Sequence, residues 1–134
     1  MSRTIFVSLP VANVARSAAF YEAIGFVKDP RFSTEQAAAL RWADGIAVMV
    51  LDRAFYSTLT PKPIADARAT SGALFALGLE SRAAVDEITE RAIAAGGREA
   101  HGPEDLGFMY SRAFEDLDGH GFGPMWMDTA AGAA

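Results

Sequence analysis

The stretch Ile5-Phe6-Val7-Ser8-Leu9-Pro10-Val11, followed by Asn13 and an apolar-periodic run closed by Gly25, has a counterpart half a chain later. There Leu74-Phe75-Ala76-Leu77-Gly78-Leu79 leads into Ser81 and a second periodic run closed by Gly96-Gly97. Asn13 and Ser81 are good helix N-caps, and a glycine just past a helix supplies the left-handed residue that ends it. Each half then carries Asp-Gly, as Asp44-Gly45 and Asp118-Gly119, ahead of an apolar strand, Ile46 to Leu51 and Phe122 to Met127. Asp-Gly before such a run signals a hairpin turn. The order strand, helix, strands around a hairpin is therefore written twice.

Working outward, alternation predicts strand one over Thr4 to Val11, with Pro10 near its end where no ladder donor is required. Helix one is expected from Val14 to Ile24, with Val14, Ala18, Tyr21 and Ile24 on one buried stripe. Strands follow at Phe26 to Arg31, Ala37 to Ala43 and Ile46 to Asp52. Residues 53–71, with Pro61 and Pro63, have no counterpart in the other half and read as a short helix or turn plus linker. Repeat one thus covers about 1–52 and repeat two about 72–128 of a single domain, 1–134. The second repeat predicts a strand at Ala73 to Glu80. Its helix runs from Arg82 to Ala95 with Val85, Ile88, Ala92 and Ala95 inward. Strands at Glu99 to His101, Phe108 to Phe114 and Gly121 to Asp128 complete it.

Composition bounds the function. The 134 residues, 51% hydrophobic, suit one ordered domain that buries a sizeable core. No apolar run is long enough for a membrane span, and Met1-Ser2-Arg3-Thr4 leads straight into a strand, leaving no room for a signal peptide. The absence of cysteine excludes disulfides, thiolate catalysis and thiolate-bound zinc, and agrees with a cytoplasmic location. A net charge of −5 without a Lys/Arg cluster argues against nucleic acid or anionic membrane as partner.

The string Phe6-Val7-Ser8-Leu9-Pro10-Val11-Ala12-Asn13-Val14-Ala15-Arg16-Ser17, then Phe20-Tyr21 and Ile24-Gly25-Phe26, resembles the opening of the vicinal oxygen chelate superfamily. That superfamily includes glyoxalase I, bleomycin-resistance proteins and extradiol dioxygenases. Phe114-Glu115-Asp116-Leu117-Asp118-Gly119-His120 resembles its Asp-Pro-Asp-Gly turn, with Leu117 in place of proline. The resemblance spans nearly the whole chain and implies an α+β fold: two tandem βαβββ modules forming an open, curved mixed sheet with the helices outside. In metal-using relatives four strands each contribute a ligand, and those positions fall here on Phe6, on or beside Met49, on Leu74 and on Gly123. None can bind a hard cation, which calls for oxygen or nitrogen donors. The expectation is the scaffold without its metal and with no cofactor. A divalent metal held by other ligands is the alternative.

Other chemistry is sparse. His120 follows the hairpin glycine and reads as a turn-end residue, and His101 reads as a solvated strand or loop position. Asp116 and Asp118 suit turn chemistry. No Ser-His-Asp arrangement, phosphate-cradling loop or dinucleotide fingerprint is present. Strand parity puts Phe6 and Ser8 in a cleft, joined by Met49, Leu74, Gly123 and Met125, with Tyr110 and Arg112 as further polar points. Such apolar walls with few polar groups describe a small-molecule site, or the same side chains fill the barrel as core. Three classes remain: a metal-free protein binding an apolar or aromatic ligand, as resistance members of the family do; a metal-dependent lyase, isomerase or dioxygenase of glyoxalase type; and a metal-free enzyme using Tyr110, His101 or Glu115 in acid–base work. High aliphatic content without metal or disulfide predicts a homodimer.

Overall fold

The computed structural model describes residues 3–129. The chain divides into two compact units, with the boundary between Asp66 and Ala67. Unit one contains β1 (Ile5–Val11), α1 (Val14–Ala23), β2 (Val27–Asp29), a 3-10 turn (Pro30–Phe32), β3 (Ala37–Ala43), β4 (Ile46–Asp52) and α2 (Arg53–Ser57). Its sheet has the order β1-β4-β3-β2, with β1 parallel to β4 and the other pairs antiparallel. Unit two contains β5 (Leu74–Gly78), α3 (Arg82–Ala94), β6 (Arg98–Asp105), β7 (Met109–Glu115) and β8 (Gly121–Met127). It repeats the pattern as β5-β8-β7-β6, with β5 parallel to β8. The two βαβββ modules expected from the repeated sequence are present.

Local chemistry explains the boundaries. The Asn13 side chain accepts the Arg16 amide at 2.9 Å, and Ser81 Oγ accepts that of Ala84 at 3.0 Å, each satisfying a donor the first turn leaves open. Gly25 (φ +110°) and Gly96 (φ +104°) end α1 and α3 in the left-handed region. In the second hairpin the buried Asp116 carboxylate accepts the amides of Asp118 and His120, both at 2.9 Å. Gly119 follows with φ +93°.

In unit one the helix-facing side of the sheet is Leu9, Val11, Leu40, Val48 and Val50, all buried. Ala18, Tyr21 and Ile24 of the expected stripe pack there with Ser17 and Phe20, while Val14 is only half-buried. Tyr21, Phe26 and Trp42 form a continuous aromatic row, with centroid separations of 5.2 and 5.0 Å. In unit two, Leu77, Phe114 and Phe122 of the sheet and Val85, Ile88 and Ala92 of α3 are buried, with α3 packed on β7 and β8. Phe114 stacks on Phe122 at 5.3 Å.

Three elements differ from expectation by more than one residue at an end, the first being β5, which ends at Gly78 instead of Glu80. β2 stops at Asp29 instead of running to Arg31, because Asp29 caps a 3-10 turn that Pro30 opens with its fixed φ. β6 runs from Arg98 to Asp105, longer than expected, as an edge strand. Register shifts on either side of His101 let it continue past Pro103, which cannot donate to a ladder. Among the described residues, no helix is long and apolar enough to cross a membrane.

Candidate ligand-binding site

The register of unit one places Phe6 beside Ala47 and Ser8 beside Met49, and Met49 is opposite Ala39. Paired residues share a face, so Phe6, Ser8 and Met49 lie together on the side opposite α1. Phe6 is 47% exposed although it sits in a strand. Its ring meets that of Phe32 edge-to-face at 5.9 Å, and Phe32 is itself 51% exposed. The Arg31 guanidinium lies over the Phe32 ring at 5.3 Å. Arg31 is held there by Asp29, which accepts from Nε at 3.1 Å and from Nη2 at 2.9 Å. The Arg31 hydrogen bond is also the main cause of an Asp29 carboxyl below its ordinary pKa. The sequence reading missed Phe32, since a strand drawn through Arg31 ends one residue short of it. Asp29-Pro30 was the available signal, a dipeptide that starts turns.

In unit two Leu74 pairs with Gly121, Ala76 with Gly123, and Gly78 with Met125. Leu74, Gly123 and Met125 therefore share the face opposite α3, as expected. Leu74 is 77% exposed. A Cβ added at Gly78 would meet nothing within 4 Å, and one at Gly123 only the Arg112 carbonyl oxygen at 3.9 Å. The backbone here is a bare floor.

Tyr110 and Arg112 do not join that face, which corrects the sequence reading. Ser111 pairs with Met125 and Tyr110 with Trp126, so Tyr110 and Arg112 point to the α3 side with Phe114. Tyr110 Oη donates to Asp86 at 2.6 Å. That hydrogen bond, with burial and the Asp86 charge behind it, raises the phenol's pKa and holds it protonated. Arg112 donates to Glu99 from Nε at 3.2 Å and Nη2 at 2.8 Å, and its Nη1 reaches Glu90 at 2.7 Å and Asp86 at 3.2 Å. Burial opposes its charge, but hydrogen bonds to Glu99, Glu90 and Asp86 outweigh burial and raise its pKa. Ser111 and Glu115, not Tyr110 or Arg112, are the β7 polar groups on the open face.

Phe6, Met49, Leu74 and Gly123, at or beside the positions where the resemblance puts metal ligands, are a phenyl ring, a thioether, an isobutyl group and a glycine. This donor set does not fit a hard divalent cation. Among the described residues, no three His, Cys, Asp or Glu side chains are grouped so as to hold a metal ion. The other candidates have local roles. His101 Nδ1 lies 2.9 Å from the Gly102 carbonyl oxygen, the His120 amide donates to Asp116, and Glu115 accepts from Arg98 at 3.2 Å.

Compared with protein-family models and with curated proteins, the sequence matches none. Solved structures do match. A glyoxalase/bleomycin resistance protein/dioxygenase family enzyme from Burkholderia phytofirmans PsJN superposes with a TM-score of 0.80 at 16% identity, over 94% of this chain and 99% of that one. A protein from Agrobacterium tumefaciens gives 0.73 at 26% identity, over 95% and 98%. The bleomycin resistance determinant encoded on the transposon Tn5 gives 0.63 at 20% identity, over 95% and 99%. The chain has the vicinal oxygen chelate fold, an α+β architecture of two βαβββ modules.

Proposed function

We propose that this protein binds a small apolar or aromatic molecule on the open faces of its sheets, without a divalent metal. The observation that carries the reading is the Phe6–Phe32 pair, two rings in edge contact that both remain about half exposed. Large aromatic side chains gain most from burial, and a pair left open on a sheet face is a place for a third flat group to stack. Titration with 2-naphthol by calorimetry tests the proposal. Phe32→Ala is expected to weaken binding roughly fivefold, the scale of one aromatic contact. Equal heats for parent and variant would place the ligand elsewhere.

The metal-free part has its own check. A cation held by the native state would raise the melting temperature by mass action. Nickel, zinc or manganese is expected to leave it unchanged, and a dose-dependent rise reversed by chelator would restore the lyase or dioxygenase alternative.

We also propose a cytoplasmic homodimer. Leu106 and Phe108 at the β6–β7 hairpin, with Met127 alongside, leave apolar surface exposed that a twofold partner would cover. Sedimentation equilibrium at micromolar concentrations should give twice the 14.2 kDa chain mass, and a mass constant at the monomer value rejects the dimer.

A further inference from the structure

The open face of unit one carries charge as well as aromatic surface, and only part of that charge is used. Phe6, Ala47, Arg41 and Val27 stand in one row across β1, β4, β3 and β2. Ser8, Met49, Ala39 and Asp29 form the next row, so Asp29 and Arg41 belong to the same face. Arg31 and Asp29 neutralise each other through two hydrogen bonds, at 3.1 and 2.9 Å. The exposed Arg41 side chain has no ion-pair partner among the described residues. Its charge also helps to lower the Asp29 pKa, after the larger effect of Arg31. The face therefore has one uncompensated cation, in a chain whose net charge is −5.

Geometry relates that cation to the aromatic pair. Phe6 and Arg41 are two strands apart, about 10 Å between backbones at ordinary strand spacing, with the buried Ala47 between them. A ring lying against the exposed side of Phe6 and directed along this row would place a ring substituent within reach of the Arg41 guanidinium. That group has a planar fork of donors matched to a carboxylate.

The geometry points to a planar aromatic monoanion, of the aryl carboxylate class, as the ligand of this face, with Phe6 and Phe32 taking the ring and Arg41 taking the anionic group. This rests on the proposed ligand-binding function and narrows it. A bare hydrocarbon leaves Arg41 unused, an aromatic cation is repelled by it, and a dianion exceeds the single charge available.

The test compares 2-naphthoate with the neutral 2-naphthalenemethanol by calorimetry, on the parent and on Arg41→Gln and Arg41→Lys. Arg41 is exposed, so neither change disturbs the core. The parent is expected to prefer the carboxylate by about fivefold, the upper range for an exposed ion pair. Arg41→Gln should bring the ratio to about one, with Arg41→Lys between, and added salt should erode the preference in the parent and in Arg41→Lys, which both keep the cation. Equal binding of both probes by the parent, or a preference surviving Arg41→Gln, overturns the assignment to an anion while leaving aromatic binding intact. Failure of both probes to bind at millimolar concentration rejects the ligand-binding reading and this inference with it.

Discussion

Gly119→Ala is expected to destabilise the protein by about 3 kcal/mol, the sum of a left-handed backbone penalty and a steric one. At φ +93°, any L residue there is strained. A Cβ would also lie 2.9 Å from both the Ala67 carbonyl oxygen and the Arg68 amide nitrogen, and backbone cannot swing aside as a side-chain end can. The Arg68 guanidinium donates to the Leu117 carbonyl from the same segment, so the turn and residues 67–68 would have to separate together. Gly107→Ala is the control. Its φ of +84° carries the same conformational penalty, but a Cβ would meet nothing within 4 Å. It should cost only about 1 kcal/mol. Urea unfolding with unchanged m measures both, and equal midpoints for the two variants would show that the close approach at Gly119 carries no energy.

Arg112→Leu is the second large effect, at about 2–3 kcal/mol. Removing one partner of a buried ion pair leaves the others uncompensated, at about 3–5 kcal/mol when all are buried. Here Arg112 is 9% exposed, but Asp86 and Glu90 are well exposed and water attenuates the loss. Leucine keeps hydrocarbon under α3 but leaves three carboxylates converging with no cation between them. Arg112→Lys keeps the charge and loses the two-pronged contact with Glu99, so it should fall between parent and leucine variant. A leucine variant as stable as the parent would reduce the cluster to an ordinary surface contact.

These two sites show which parts of the molecule could be read from the chain. The Asp118-Gly119 turn, the Asn13 and Ser81 caps and the strand alternation act within a few residues of themselves, so both modules and most boundaries were legible. Phe6, Ser8, Met49, Leu74, Gly123 and Met125 also followed from period-two parity, once each strand's helix-facing side was identified. Arg112 did not. A charged residue in β7 reads as a polar point of the cleft until α3 is known to present Asp86 and Glu90, one turn apart, over that part of the sheet. Parity with Met125 would have selected Ser111, but a serine between Tyr110 and Arg112 draws little attention. Phe32 was hidden by a strand assumed to continue where Pro30 turns the chain.

The central claim, that the open face around Phe6 receives an aromatic molecule, is tested most directly by amide chemical-shift mapping of the 15N-labelled protein titrated with 2-naphthoate. The account predicts saturable shifts concentrated at Phe6, Ser8, Phe32, Ala39, Arg41 and Met49, with α1 residues such as Phe20 and Tyr21 unmoved. Shifts confined to the helix side of the sheet, or none up to millimolar ligand, would contradict it.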